Sequence, residues 1–172
     1  EEIILDEIKR NKNIKLLVFS RRFGQPAATV AGIVNCRGSY CVIIDVDLQD
    51  PPELINELYK KITTGYEVVY AKRKSRKGET FFKKIISSIA YYLINKFSDI
   101  NIPRNAGDYR IFSRRVINHL IKLNESHGFL RGLVAFVGFN QSFVEYDREE
   151  RFAGKSKYNK FFGSFKIGFN GL

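Results

Sequence analysis

At 172 residues, 44% hydrophobic and 27% charged, the chain is long enough for one α/β domain with a buried core, and its composition excludes a disordered polymer. Its 29 basic and 18 acidic side chains give a formal charge of +11, which favours polyanionic partners: nucleic acid, anionic lipid or phosphorylated small molecules. Cys36 and Cys41 form neither a disulfide framework nor a paired metal motif, so a reducing compartment fits and a disulfide scaffold does not.

The chain opens without a methionine or a leader and is expected to continue a longer protein. Residues 15–19 (KLLVF) and 40–46 (YCVIIDV) are short apolar runs that predict strands, and the Ala-rich stretch 25–36 between them predicts a helix ending before Gly38. This is the pattern of a β-α-β unit, and continuous apolar strands of this kind belong to a mostly parallel twisted sheet with helices on both faces. In Asp50-Pro51-Pro52-Glu53, an acidic cap, prolines and a glutamate three residues on predict the start of a helix over 54–64, which Gly65 ends. Residues 67–71 (EVVYA) predict the next strand.

Residues 72–84 carry seven basic side chains and one glutamate, 82–97 predict an amphipathic helix, and 101–108 predict an irregular loop. A short strand over 109–112 leads to a helix capped by Ser113. A late strand over 141–148 precedes a polar loop over 149–157. No repeat or low-complexity linker divides the chain. The longest near-apolar stretch, residues 85–94, is about half the ~20 residues that a membrane-spanning helix needs.

The densest chemistry lies in Asp45-Val46-Asp47-Leu48-Gln49-Asp50, where an apolar strand delivers three carboxylates and an amide to its carboxyl end. Ligands of open α/β sheets bind at such ends. An oxygen-only set suits a hard cation, Mg²⁺ or Mn²⁺, that fills its remaining positions with water and phosphate oxygens. Asp50 reads as the helix cap. A bare DxD is common, whereas a DxD joined to QDPPE behind a buried strand is a far stronger signal.

The stretches SRRFGQPAATVAGI, DVDLQDPPE, GDYRIFSRRV, FLRGLVAFVGF and RFAGKSKY, in this order, resemble the polyprenyl-phosphate glycosyltransferases of glycosyltransferase family 2, the bactoprenol glucosyltransferases and dolichyl-phosphate mannose synthases. The resemblance implies a GT-A fold, inverting transfer, a divalent metal, a nucleotide-sugar donor and a polyprenyl phosphate acceptor. It also implies a strand ahead of Glu1 that helps hold the donor, and transmembrane helices beyond Leu172 that anchor the protein at the cytoplasmic face of the plasma membrane. Residues 1–157 then correspond to the catalytic domain, lacking that first strand, and 158–172 to an amphipathic juxtamembrane helix. Whether the protein is a homo-oligomer stays open.

Carried over residue by residue, the resemblance makes Asp45, Asp47 and Gln49 the metal ligands and Arg73 a contact of the donor phosphates. It puts Asp108 at the reaction centre and makes Arg151 and Lys157 phosphate contacts in a glycine-containing loop. A phosphate monoester is already mostly ionised at neutral pH, its second pKa being near 6, so Asp108 is expected to align the acceptor or a basic partner; the alternative is an Asx turn. The neighbours of Arg73 read as a solvated basic run. Tyr158, Phe161, Phe165 and Phe169 recur along one helical face beside Lys157, Lys160 and Lys166, which suits a membrane interface or, alternatively, the protein core.

His119 and His127 have no ligand spacing, and Cys36 and Cys41 read as core. UDP-glucose is the favoured donor, with GDP-mannose or an aminosugar nucleotide as alternatives. The rival functions are a transferase with a sugar-hydroxyl acceptor, a nucleotidyltransferase, and a nucleic-acid-binding module. No motif of the last class is present, so no nucleic-acid partner is expected.

Overall fold

A computed structural model describes residues 2–74, 106–124 and 130–147. Four strands, β1 (Tyr40–Ile43), β2 (Val68–Arg73), β3 (Ala106–Ser113) and β4 (Gln141–Tyr146), form one sheet in the order β1-β3-β2-β4. β3 runs antiparallel to both its neighbours, and β2 pairs with β4 in parallel. β1, β2 and β4 therefore point the same way and β3 alone opposes them. The sheet is therefore mixed: three strands share a direction, and the reversed β3 makes two of the three ladders antiparallel.

The period-two alternation of β2 and β3 splits the core into two layers. Val69, Ala71, Tyr109 and Ile111 face α3 (Leu54–Ile62), whose Leu54, Leu58 and Ile62 recur at helical spacing and are buried against them. Val68 and Phe112 face the other way, against Ile33 of α2 (Gln25–Asn35), Val116, Ile117 and Leu120 of α4 (Arg114–Lys122) and Val134 of α5 (Leu130–Phe136). Helices thus cover both faces, as the α/β reading requires.

Local signals account for most of these ends. Ser113 caps α4 by accepting from the Val116 amide. After α3 the chain reverses at Gly65, whose φ of +105° suits glycine. α1 (Glu2–Arg10), which the sequence pattern did not announce, buries no side chain and carries the exposed pairs Lys9–Asp6 and Arg10–Glu7.

Four expectations need correction. Residues 15–19 are not a strand: Leu17, Val18 and Phe19 are exposed, and Phe19 packs on Phe23 instead. An apolar run becomes a strand only when a neighbouring backbone takes its hydrogen bonds, and none among the described residues does, so the β-α-β unit lacks its first strand there. β1 stops at Ile43, which leaves Asp45 in the turn after it. Asp108 belongs to β3 and not to a loop or an Asx turn, because β3 extends back to Ala106, paired with Lys72 past a register shift. Finally, the N-cap residue of α3 is Glu53, while Asp50 is buried against β4. The predicted helix over 82–97, the loop over 149–157 and the segment 158–172 lie outside the described residues.

Candidate active site at one end of the sheet

Because β1 and β2 end where the antiparallel β3 begins, their register collects distant residues at one edge. Ile43 pairs with Arg110, Tyr70 with Arg110, and Arg73 with Tyr146. Asp45, Asp47 and Gln49 follow β1, Arg73 ends β2, and Asp108 opens β3, so five of the residues singled out in the sequence share this edge.

In the turn after β1 the usual exposure pattern is inverted. Val46 is 96% exposed and Leu48 59%, whereas Asp45, Asp47 and Gln49 are half-buried. Turning apolar groups to solvent and acids inward costs solvation on both counts, which is the behaviour of a site and not of a surface loop. Leu48 adopts a φ of +59°, and the Gln49 amide donates to Asp47 Oδ1 at 3.3 Å. The turn is tied at both ends. Gln25 Nε2, at the start of α2, donates to Asp45 Oδ1 at 2.9 Å. The Tyr146 hydroxyl donates to Asp50, and the Tyr109 hydroxyl to the Pro51 carbonyl at 2.8 Å.

Between α2 and β1 lies an open cleft of about 630 Å³, lined among others by Gln25, Thr29, Ile43, Asp45 and Asp47. Its carboxylates and amide form an oxygen donor set that fits Mg²⁺ or Mn²⁺. Among the described residues no three acidic, imidazole or thiol side chains converge on one point. A share of one or two carboxylates is what such a cation ordinarily takes from protein.

Around Asp108 the charges are dense. Arg131 Nε, on the first turn of α5, donates to Asp108 Oδ1 at 2.9 Å. Arg110 is 2% exposed and donates from Nη2 to the Gly107 carbonyl at 2.6 Å. Arg73 runs alongside the start of β3, where a Cβ on Gly107 would lie 3.5 Å from its Nη2. Burial alone would raise the pKa of Asp108, but the guanidiniums of Arg131, Arg110 and Arg73 outweigh it and hold the carboxyl below its ordinary range. Burial pushes Arg110 down to about 10, with Asp108 opposing. It also raises the Tyr109 and Tyr146 hydroxyls to about 12, aided at both by Asp50.

Sequence reasoning missed Gln25, Arg110, Arg131 and Tyr146. Period-two parity could have flagged Arg110, a charge on the same strand face as Phe112, and Arg131 is a charge among the apolar residues of FLRGLVAF. Asp50, taken as a cap, instead anchors the turn. Cys41 lies against Cys36, and burial raises its thiol to about 12, which fits an inert core role. His119 packs edge-on against Phe139. Arg151, Lys157, Tyr158, Phe161, Phe165 and Phe169 lie outside the described residues.

Residues 1–121 match the family model described as Glycosyl transferase family 2. The chain is 48% identical over 157 residues to an uncharacterised glycosyltransferase, YkcC, of Bacillus subtilis, covering 91% of this chain and 49% of the relative. It is 45% identical over 156 residues to an uncharacterised glycosyltransferase, sll0501, of Synechocystis, covering 91% and 49%. It is 41% identical over 143 residues to the bactoprenol glucosyl transferase of Shigella phage SfV, covering 83% and 47%. The chain thus spans about half the length of the curated relatives it matches. With a match over most of its length and relatives at these identities, the chain belongs to glycosyl transferase family 2.

Proposed function

We propose that the chain is the catalytic part of an inverting glycosyltransferase that moves a sugar from a nucleotide-sugar, UDP-glucose by preference, to a polyprenyl phosphate at the cytoplasmic face of a membrane. The observation that carries the choice of acceptor is Asp108, held ionised by arginines. A sugar-hydroxyl acceptor needs a base to take its proton, and a carboxylate stabilised in its charged form is a poor one. A phosphate monoester needs none, since its second ionisation lies near pH 6. The likeness to a bactoprenol glucosyl transferase supports the same acceptor.

Asp45, Asp47 and Gln49 would hold Mg²⁺ or Mn²⁺, which neutralises the charge developing on the leaving diphosphate without proton transfer. Gln25 orients Asp45, while Tyr146 and Tyr109 fix the far end of the turn. Arg73 grips donor phosphate as a planar fork. Arg151 and Lys157 add charge at the reacting phosphates, and the aromatic face of Tyr158, Phe161, Phe165 and Phe169 rests in the membrane interface. The sequence offers no nucleophile with its own base, which favours direct displacement and therefore inversion.

The test is a screen of nucleotide-sugars with the protein in membranes, following sugar transfer to polyprenyl phosphate and assigning the product anomer by NMR. A UDP-glucose-dependent product with inverted configuration is expected. Absence of lipid-linked product with every donor would overturn the reading.

A further inference from the structure

We propose that the hydroxyl of Tyr146 is the positioning link between Arg73, the arginine assigned above to the donor phosphates, and Asp50, which anchors the turn that carries Asp45, Asp47 and Gln49. This deepens the reading above and rests on it for what Arg73 and the turn bind, while the link itself is argued from strand register and hydrogen-bond polarity. β2 alternates, so Arg73 shares its face with Val69 and Ala71, the face packed against α3. In the parallel ladder Arg73 lies beside Tyr146, and the Lys74 amide donates to the Tyr146 carbonyl at 3.0 Å. The two side chains therefore leave neighbouring rungs on the same face.

From there the tyrosine reaches the turn. Tyr146 is 5% exposed, its ring meets Tyr109 edge-on, and its hydroxyl donates to Asp50, itself 2% exposed. A phenol has one proton to give. With that proton directed at Asp50, the oxygen meets the Arg73 guanidinium as an acceptor, and Arg73 favours the ionised hydroxyl while burial and Asp50 oppose it. A guanidinium, a hydroxyl and a carboxylate thus stand in series, each bond polarising the next where burial limits screening. Arg73 takes little of its aim from elsewhere. Its buried Nε has no hydrogen-bond partner among the described residues. Its charge is also felt at Asp108, but that carboxylate is bonded to Arg131. Tyr109 supplies the contrast: its hydroxyl donates to the Pro51 carbonyl at 2.8 Å and is acted on by Asp50, Tyr146 and Glu53, not by Arg73. One tyrosine holds the turn alone, and the other joins the turn to the arginine.

The experiment measures binding to the detergent-solubilised protein by calorimetry, with Mn²⁺ alone and UDP in chelator as separate probes, and the urea midpoint alongside. Tyr146→Phe keeps the ring and removes the hydroxyl. It is expected to weaken Mn²⁺ about tenfold, as loss of a group supporting the ligands does, and UDP about threefold or more. Tyr109→Phe is expected to weaken Mn²⁺ and leave UDP unchanged. In an Arg73→Gln background Tyr146→Phe is expected to cost UDP nothing further, since the hydroxyl acts on UDP through that arginine. Ile62→Val, at the buried far end of α3, is expected to lower the urea midpoint and leave both affinities unchanged, which separates positioning from packing. Equal UDP losses for the two tyrosine variants, or an undiminished Tyr146→Phe loss in the Arg73→Gln background, overturns the proposal. A wild type that binds no UDP overturns the donor reading and the proposal with it, whereas a wild type that binds both probes no better than Tyr146→Phe overturns the proposal alone. Should Tyr146→Phe fail to fold, Arg73→Lys, which keeps the charge and loses the planar fork, decides: weaker Mn²⁺ supports the link, and unchanged or tighter Mn²⁺ sinks it.

Discussion

At Asp108 burial and charge act in opposite directions, and charge prevails because the positive charges of Arg131, Arg110 and Arg73 together outweigh burial. A carboxyl whose folded pKa lies below its ordinary value near 3.8 adds stability above that value and loses it as pH falls through the folded pKa. Relative to Asp108→Asn, the wild type should therefore gain stability as pH rises through the carboxylate range and plateau above it, as urea unfolding at stepped pH would record. Activity should behave differently. It should rise near pH 6 with the second ionisation of the acceptor phosphate, and a phosphonate acceptor should move that inflection while Asp108→Asn does not. An inflection abolished by Asp108→Asn would mean that the carboxylate is a base after all. At Asp47 the expectation is loss of the cation: Asp47→Asn should lower turnover by about a hundredfold or more, and excess EDTA should abolish it. Full activity in EDTA would remove the metal from the site.

Among the elements, the turn between β1 and α3 depends on two tyrosines from strands distant in sequence. Tyr109 and Tyr146 meet edge-on, with ring centroids 6.2 Å apart, and their hydroxyls hold Pro51 and Asp50. Both hydroxyls titrate near 12 in the fold against 10 when unfolded, so the stability they contribute is complete below pH 10 and lost as pH rises toward 12. Alkaline unfolding followed by circular dichroism should fall in that window and be blunted in Tyr109→Phe and Tyr146→Phe. At neutral pH Tyr146→Phe should cost about 2 kcal/mol, the value of a hydrogen bond to a charged group, read as a lower urea midpoint. Neither tyrosine was singled out from the sequence, and the reason is physical. α3, β2 and the Ser113 cap are written in local signals, a stretch of residues with the right period and end groups. The tyrosine ties, the Arg131–Asp108 bond and the extension of β3 to Ala106 depend on partners far along the chain, which no local pattern encodes. The same logic explains the false strand over 15–19. Its composition is right, but a ladder needs a second strand.

For the whole molecule, the resemblance anticipated the α/β architecture, and Asp45, Asp47, Gln49, Arg73 and Asp108 lie toward one end of its sheet. Among the described residues no helix is long and apolar enough to cross a membrane. If the aromatic face after Lys157 docks on the bilayer, Phe165→Asp should spare transfer to a short, water-soluble acceptor and impair transfer to a long one. If Arg151 supplies charge at the reacting phosphates, Arg151→Ala should impair both. Equal losses on both acceptors for Phe165→Asp, with unchanged circular dichroism, would assign that face to the core.

The reversed direction of β3 has a consequence for how such a protein diversifies. β2 leaves the sheet at Arg73 and β3 enters it at Ala106, paired with Lys72, so the stretch between them departs from and returns to the same edge, beside the candidate site. Between two rungs fixed side by side, closing a longer connection costs only about 0.6 kcal/mol per doubling of its length. A change of length between Arg73 and Ala106 should therefore leave the register of β2 and β3, which carry Arg73, Asp108 and Arg110, as it is.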